Sequence, residues 1–278
     1  MTAAEAPQAA APQAGRQQRR RHRTWIAVAL LGALLVLLPA AWQALPHGAV
    51  RHGLLAGGDD GRPVSALEIV GGDADITVTP RGDQQVGYRA EVSWSLAAPS
   101  VETSRLGDSL RLTPRCPGGD SWRPAAPGCS VKLAVTVPAG IPVKVTVRSG
   151  RVSLAGLGGT VDAEVDSGRV EISGLRGALR AKVDSGRLNA TDLSSPQIDV
   201  RVGSGNAAVS FIAPPEQVVG RVGSGRLALF VPVATTFRTT CEAGSGRCEV
   251  PDGLRDETAP RTLDMEAGSG RAQALYGP

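Results

Sequence analysis

The sequence predicts an all-β domain, a parallel β-solenoid of the β-helix type, placed after one N-terminal transmembrane helix. Three observations predict it. A Ser-Gly motif recurs seven times, at Ser149-Gly150, Ser167-Gly168, Ser185-Gly186, Ser204-Gly205, Ser224-Gly225, Ser245-Gly246 and Ser269-Gly270, followed by Arg in every copy except Asn206. Its glycines are spaced by 18, 18, 19, 20, 21 and 24 residues, too short for a helical hairpin repeat and close to one coil of a β-solenoid. An uncharged run from Trp25 to Trp42 precedes all of this.

That run, within an expected helix over 24–45, is about 27 Å long at roughly 1.5 Å per residue, with a Trp at either end. Arg16, Arg19, Arg20, Arg21 and Arg23 lie just before it. The excess of positive charge puts residues 1–23 in the cytoplasm as a short basic tail and everything beyond the span outside the cell membrane. A cleaved signal peptide is the competing reading. Against it stand the long leader and the position of Pro39 or Trp42 where a second small residue belongs.

The net charge of +4 belongs to the tail, where five Arg face Glu5, leaving 25 basic and 25 acidic residues beyond it. Anionic inner-leaflet lipid accounts for such a tail, and the overall pI gives a nucleic-acid role no support. Residues 46–62, rich in Gly and Asp, read as a stalk. Residues 63–140 read as a β lead-in, with strands around Ala66–Val78, Val86–Leu96, Ser109–Thr113 and Val131–Val137. The repeat solenoid is assigned to 141–278.

Four Cys lie beyond the span, two at the ends of a loop, Cys116 and Cys129, and two around a Ser-Gly motif, Cys241 and Cys248. An oxidising exterior makes disulfides the natural reading. Of the three possible pairings the two local ones are favoured, because each pair brackets a Gly-containing turn. Neither spacing suits zinc, and no His is nearby.

Within the repeats, the position two before Ser reads Val147, Val165, Val183, Val202, Val222, Ala243 and Ala267, and the position three after it Val152, Val170, Leu188, Ala207, Leu227, Cys248 and Ala272. Positions four before and five after Ser are similarly apolar. All four columns therefore face inward, and the inward parity shifts by one across Ser-Gly-Arg, as at a bulge or corner. Stacked aliphatics, with Leu157, Leu175 and Leu193 on the return, replace the missing aromatics, which are only 3% of the chain. Stacking is expected to follow sequence order. The Ser hydroxyls are expected to bond the backbone of the next coil.

The run Val131-Lys-Leu-Ala-Val-Thr-Val-Pro138, then Val143-Lys-Val-Thr-Val-Arg-Ser-Gly150 and its successors, resembles the bacterial putative adhesin family, also called LiaG-like. The likeness covers about residues 63–278. It implies a membrane-associated, exported β-solenoid. This chain carries Arg where that family often has Asp.

The three His are His22, His47 and His52, so nothing beyond residue 52 supplies a His-dependent triad or His-ligated metal. Asp73 and Asp75, or Glu164 and Asp166, read as charges on exposed strand faces rather than as an acid/base pair. Asp59-Asp60-Gly61 and Gly71-Gly72-Asp73-Ala74-Asp75 lack the ligand spacing of calcium loops. No glycine-rich segment ends as a phosphate loop does. No enzyme activity, metal or cofactor is expected.

Outward positions are more telling. Arg151, Arg169, Arg187, Arg226, Arg247 and Arg271 form one column, interrupted by Asn206, with Asp166 and Asp184 as expected partners in the early repeats. Three residues before Ser a second column reads Thr146, Glu164, Lys182, Arg201, Arg221, Glu242 and Glu266. Arg201 has no acidic neighbour in that column. Lys182, Arg201, Arg221 and Arg226 are the candidate anion-binding residues, with an envelope phosphopolymer or lipid headgroup as partner. The function expected is a membrane-anchored, extracytoplasmic, non-enzymatic adhesin-like module of the cell envelope. The alternatives are an accessory to an envelope-stress system, meeting a membrane protein partner, and a structural stalk.

Overall fold

The computed structural model describes residues 50–59, 61–118 and 128–277. The basic tail, the span, His22 and His47 lie outside the described residues, as does most of the loop between Cys116 and Cys129. Among the described residues no helix is long and apolar enough to cross a membrane. The fold of the described residues is all-β, and eighteen strands among them join one sheet.

The strands in chain order are β1 (Arg51–Gly58), β2 (Ala66–Asp73), β3 (Asp75–Arg81), β4 (Gly87–Trp94), β5 (Ser100–Leu106), β6 (Ser109–Arg115) and β7 (Ser130–Pro138). Three long strands follow, β8 (Val143–Ala155), β9 (Val161–Ser173) and β10 (Leu179–Leu193), each passing through its Ser-Gly motif. The remaining repeats are split at the motif into β11 (Gln197–Val202) and β12 (Asn206–Phe211), β13 (Gln217–Val222) and β14 (Arg226–Val231), β15 (Arg238–Ala243) and β16 (Arg247–Glu249), and β17 (Thr262–Ala267) and β18 (Arg271–Tyr276).

The split has a local cause. In β8 to β10 the residue before Ser is Arg148, Asp166 or Asp184, and the corner glycine takes φ +126, +152 or +152 while ladder pairing continues through it. In the later repeats that residue becomes Gly203, Gly223, Gly244 or Gly268. A Gly-Ser-Gly sequence bends where the earlier ones stay paired.

Parallel pairing stacks the repeats in register, Ser on Ser and Arg on Arg, as in Ser149↔Ser167↔Ser185 and Arg151↔Arg169↔Arg187. The four apolar columns point inward over most of the stack: Val147, Val165, Val183, Val202 and Val222 are buried, as are Val152, Val170, Leu188 and Leu227, but at the terminal level, which has a neighbour on one side only, Ala243 is exposed and Cys241 and Cys248 are half-buried. The return residues Leu157, Leu175 and Leu193 are buried too. Where the inward column thins to Gly220, the space a Cβ would take is filled by Leu227, whose Cδ2 lies 2.6 Å from that position.

Stacking does not follow sequence order at either end. β13 and β14 pair with β17 and β18, and β15 and β16 lie beyond these. At the other end β2 and β3 pair with β8 on one side and with β6 and β7 on the other. Each terminal level of the parallel stack is thus a later or earlier visitor, and the level interposed next to it comes from nearer the chain end. Asp73-Ala74-Asp75 is the corner of the β2/β3 level, since Asp73 pairs with Ser149 and Ile76 with Val152. The ladder therefore begins at Ala66 rather than at 141.

Antiparallel strands close the N-terminal end: β5 pairs with β6, β4 with β7 and β1 with β4. Residues 51–58 are thus a strand and not part of a stalk. Gly53 and Gly57 lie under Trp94 and Tyr88, where Cβ atoms would come within 3.1 and 2.6 Å of the rings' atoms. An alternating apolar pattern is missing from β1 because the partner strand supplies the side chains.

Both local disulfides are present, Cys116–Cys129 and Cys241–Cys248. The first closes the excursion between β6 and β7, and the second joins β15 to β16, so each ties together the two strands of a terminal parallel level. Closing loops with sequence separations of 13 and 7 removes unfolded-chain entropy worth about 3 and 2.5 kcal/mol. Replacing Cys241 and Cys248 by Ser should lower stability by about 2–3 kcal/mol, with hydrogen-exchange protection lost first in β15 and β16.

Candidate anion-binding face

Outward columns run along the stack, and three of the charged ones bear on the candidate residues. Five residues before Ser, the column reads Glu68, Lys144, Asp162, Arg180 and Asp199 in spatial order. The signs alternate at every step, which is the ordinary solution to neighbours about 4.8 Å apart.

The second column, three residues before Ser, runs Thr146, Glu164, Lys182, Arg201, Arg221, Glu266 and Glu242. Lys182, Arg201 and Arg221 are brought together as consecutive neighbours, beside a depression of about 320 Å³. Each has an acidic partner. Lys182 Nζ is 3.8 Å from Asp184, Arg221 is 3.4 Å from Glu266, and Arg201 donates from Nε and Nη2 to the two oxygens of Asp199 at 3.2 and 2.9 Å. Arg201 is therefore not without a partner. Its carboxylate comes from two residues earlier on its own strand, a neighbour that a search within one column misses.

Arg226 stands apart from those three, in the third column. In spatial order that column is Asp75, Arg151, Arg169, Arg187, Asn206, Arg226, Arg271 and Arg247. Among the described residues neither Asp166 nor Asp184 pairs with it, and Asp184 engages Lys182 instead. Among the described residues Arg247 pairs with Glu249 at 3.5 Å. Arg151, Arg169, Arg187, Arg226 and Arg271 make no ion pair there.

The serine column is fastened by side chains, not by the backbone contacts expected. Ser149 Oγ donates to Asp73, and Ser245 Oγ donates to Ser269 Oγ at 3.1 Å. Asp75 accepts from the Arg151 amide at 3.0 Å, and Arg148 lies 3.7 Å from Asp73. Among the described residues no three His, Cys, Asp or Glu side chains gather as metal ligands. Near the C-terminal end, Asp256 accepts from the Thr258 hydroxyl and amide at 2.6 and 2.9 Å, which holds its carboxyl below the usual range.

No family model matches the chain, and no curated protein matches it. Solved structures similar to it include a putative cell adhesion protein from Clostridium sporogenes (14% identity, 82% of this chain and 100% of that one covered, TM-score 0.39). A putative adhesin from Bacteroides fragilis has 12% identity, with 80% and 97% covered and a TM-score of 0.45. A putative lipid binding protein from Parabacteroides distasonis has 12% identity, with 80% and 97% covered and a TM-score of 0.30. All three scores fall below one half, so the functional reading rests on this chain's own residues.

Proposed function

We propose that this chain is a membrane-anchored, extracytoplasmic, non-enzymatic binding module of the bacterial cell envelope, adhesin-like in its use of long β faces. The observation that carries this reading is the in-register parallel stack, which aligns the outward side chains of successive levels into columns and brings arginines together as runs of neighbours. The same stack supports winding as a β-solenoid. The Trp25–Trp42 run and the arginines before it support the anchor, the two disulfides support an oxidising compartment, and the Val131–Gly150 pattern supports the LiaG-like likeness.

Its partner is an anionic envelope polymer or lipid headgroup. The test is retention of fractionated envelope polymers, lipids and solubilised membrane proteins on the purified full-length chain, with a salt titration. Salt-sensitive retention of anionic material is the expected result. Retention of one membrane protein alone would favour an accessory role, and retention of nothing a structural one.

A further inference from the structure

The column that lacks partners is not the one formed by Lys182, Arg201 and Arg221. We propose that the arginine stripe beginning at Arg151, Arg169 and Arg187, and resuming after Asn206 at Arg226, Arg271 and Arg247, is the track of an extended linear polyanion lying along the stack axis. This deepens the binding-module reading and rests on it.

Three features of the stripe argue for a ligand. Two neighbouring columns neutralise themselves, one by alternating sign and one by pairing with Asp184, Asp199 and Glu266. Apart from Arg247, which pairs with Glu249, the stripe does neither. Like charges about 4.8 Å apart repel by roughly 0.9 kcal/mol even in water, so Arg151, Arg169 and Arg187, and Arg226 with Arg271, hold unfavourable energy that an external anion would offset.

The flank of the stripe is also bare. Gly150, Gly168 and Gly186 sit beside Arg151, Arg169 and Arg187, and together with Asp75 they line a groove of about 560 Å³. Each guanidinium offers a planar fork suited to phosphate or carboxylate oxygens.

Length separates a polymer from a small anion. Six steps of about 4.8 Å carry the stripe from Arg151 to Arg247 over roughly 29 Å, and a single phosphate reaches one or two arginines. A chain of anionic groups engages both runs, so each further contact is intramolecular and gains from effective concentration. Asp75 ends the track with the opposite sign.

Asn206 supplies the test, because it shows that the fold accepts Asn in this column. Long-chain inorganic polyphosphate, orthophosphate and phosphatidylglycerol vesicles serve as probes on the purified full-length chain, comparing wild type with the triple variant R151N/R169N/R187N and with R201N/R221N. Wild type should retain polyphosphate. The triple variant should bind at least tenfold more weakly, with a slope of log affinity against log salt shallower by about two, at roughly 0.7 per lost contact. R201N/R221N should change affinity less than twofold, and the melting temperature of the triple variant should not fall. Undiminished binding by the triple variant, equal competition by orthophosphate, or stripe-dependent binding to vesicles in preference to polyphosphate would overturn the stripe's assignment. Loss of binding in R201N/R221N alone would overturn it too while leaving the binding-module reading standing. Failure of wild type to hold polyphosphate, vesicles or any envelope polymer would remove both.

Discussion

Gly168→Ala is expected to destabilise the chain by about 3 kcal/mol, enough to lower its melting temperature by roughly 6–12 °C for a domain of this size. Two costs combine. A Cβ at position 168 would stand 2.2 Å from the carbonyl oxygen of Gly150, a backbone atom that cannot swing aside, and the residue's φ of +152 lies where side chains are strained. Relief by displacement is blocked as well, because Gly150 is pressed in the same way against Ala74 and Gly186 against Gly168. Gly140→Ala is the control: nothing lies within 4 Å of its Cβ position, so the change should be neutral or stabilise by about 0.5 kcal/mol through the unfolded chain. Thermal unfolding followed by circular dichroism measures both.

Ending the chain at residue 260 should cost more than the loss of one terminal repeat. In a stack wound in sequence order, removing the last repeat would expose its neighbour and leave the rest intact. Here β17 and β18 are interposed, so their loss takes the ladder partners from β15 and β16 and opens β13 and β14 as well. Burial of Leu263 and Met265, which are 1% and 0% exposed, contributes about 4 kcal/mol by itself. Limited proteolysis should therefore cut the shortened chain throughout residues 232–260, where the full chain is protected, while β8 to β10 stay resistant. Protection of β15 and β16 in the shortened chain would contradict the interposed order.

Much of this was legible in the residues because the repeat forces it. Four apolar columns with a parity shift at Ser-Gly leave one inward assignment, and the structure buries Val147 and Val152 on opposite sides of the shift as that assignment requires. Strands without their own apolar pattern were not legible. β5, Ser-Val-Glu-Thr-Ser-Arg-Leu, is polar because it covers an end rather than a core, and β1 is Gly-rich because Tyr88 and Trp94 cover it. The order of the levels could not be read either: every level presents similar columns, so position in the stack is decided by pairings distant in sequence. For the candidate site, column membership was legible for Lys182, Arg201 and Arg221, but their acidic partners were not, since Asp184 and Asp199 lie two residues along the strand and Glu266 meets Arg221 only because β17 is interposed. Asp73 and Asp75 escaped notice as members of the Ser and Arg columns because their corner lacks the Ser-Gly pair.

The interposed order of the stack places Arg271, not Arg247, beside Arg226, and cysteine cross-linking tests that directly. A disulfide needs Cα atoms within about 7 Å. Neighbouring levels are about 4.8 Å apart and alternate levels about 9.6 Å. Under mild oxidation the full chain carrying Arg226→Cys and Arg271→Cys should form an intramolecular bond between those positions, mapped by mass spectrometry, and the chain carrying Arg226→Cys and Arg247→Cys should not. The reverse result, a bond between 226 and 247 and none between 226 and 271, would mean that the repeats stack in sequence order and would contradict the interposed order described here.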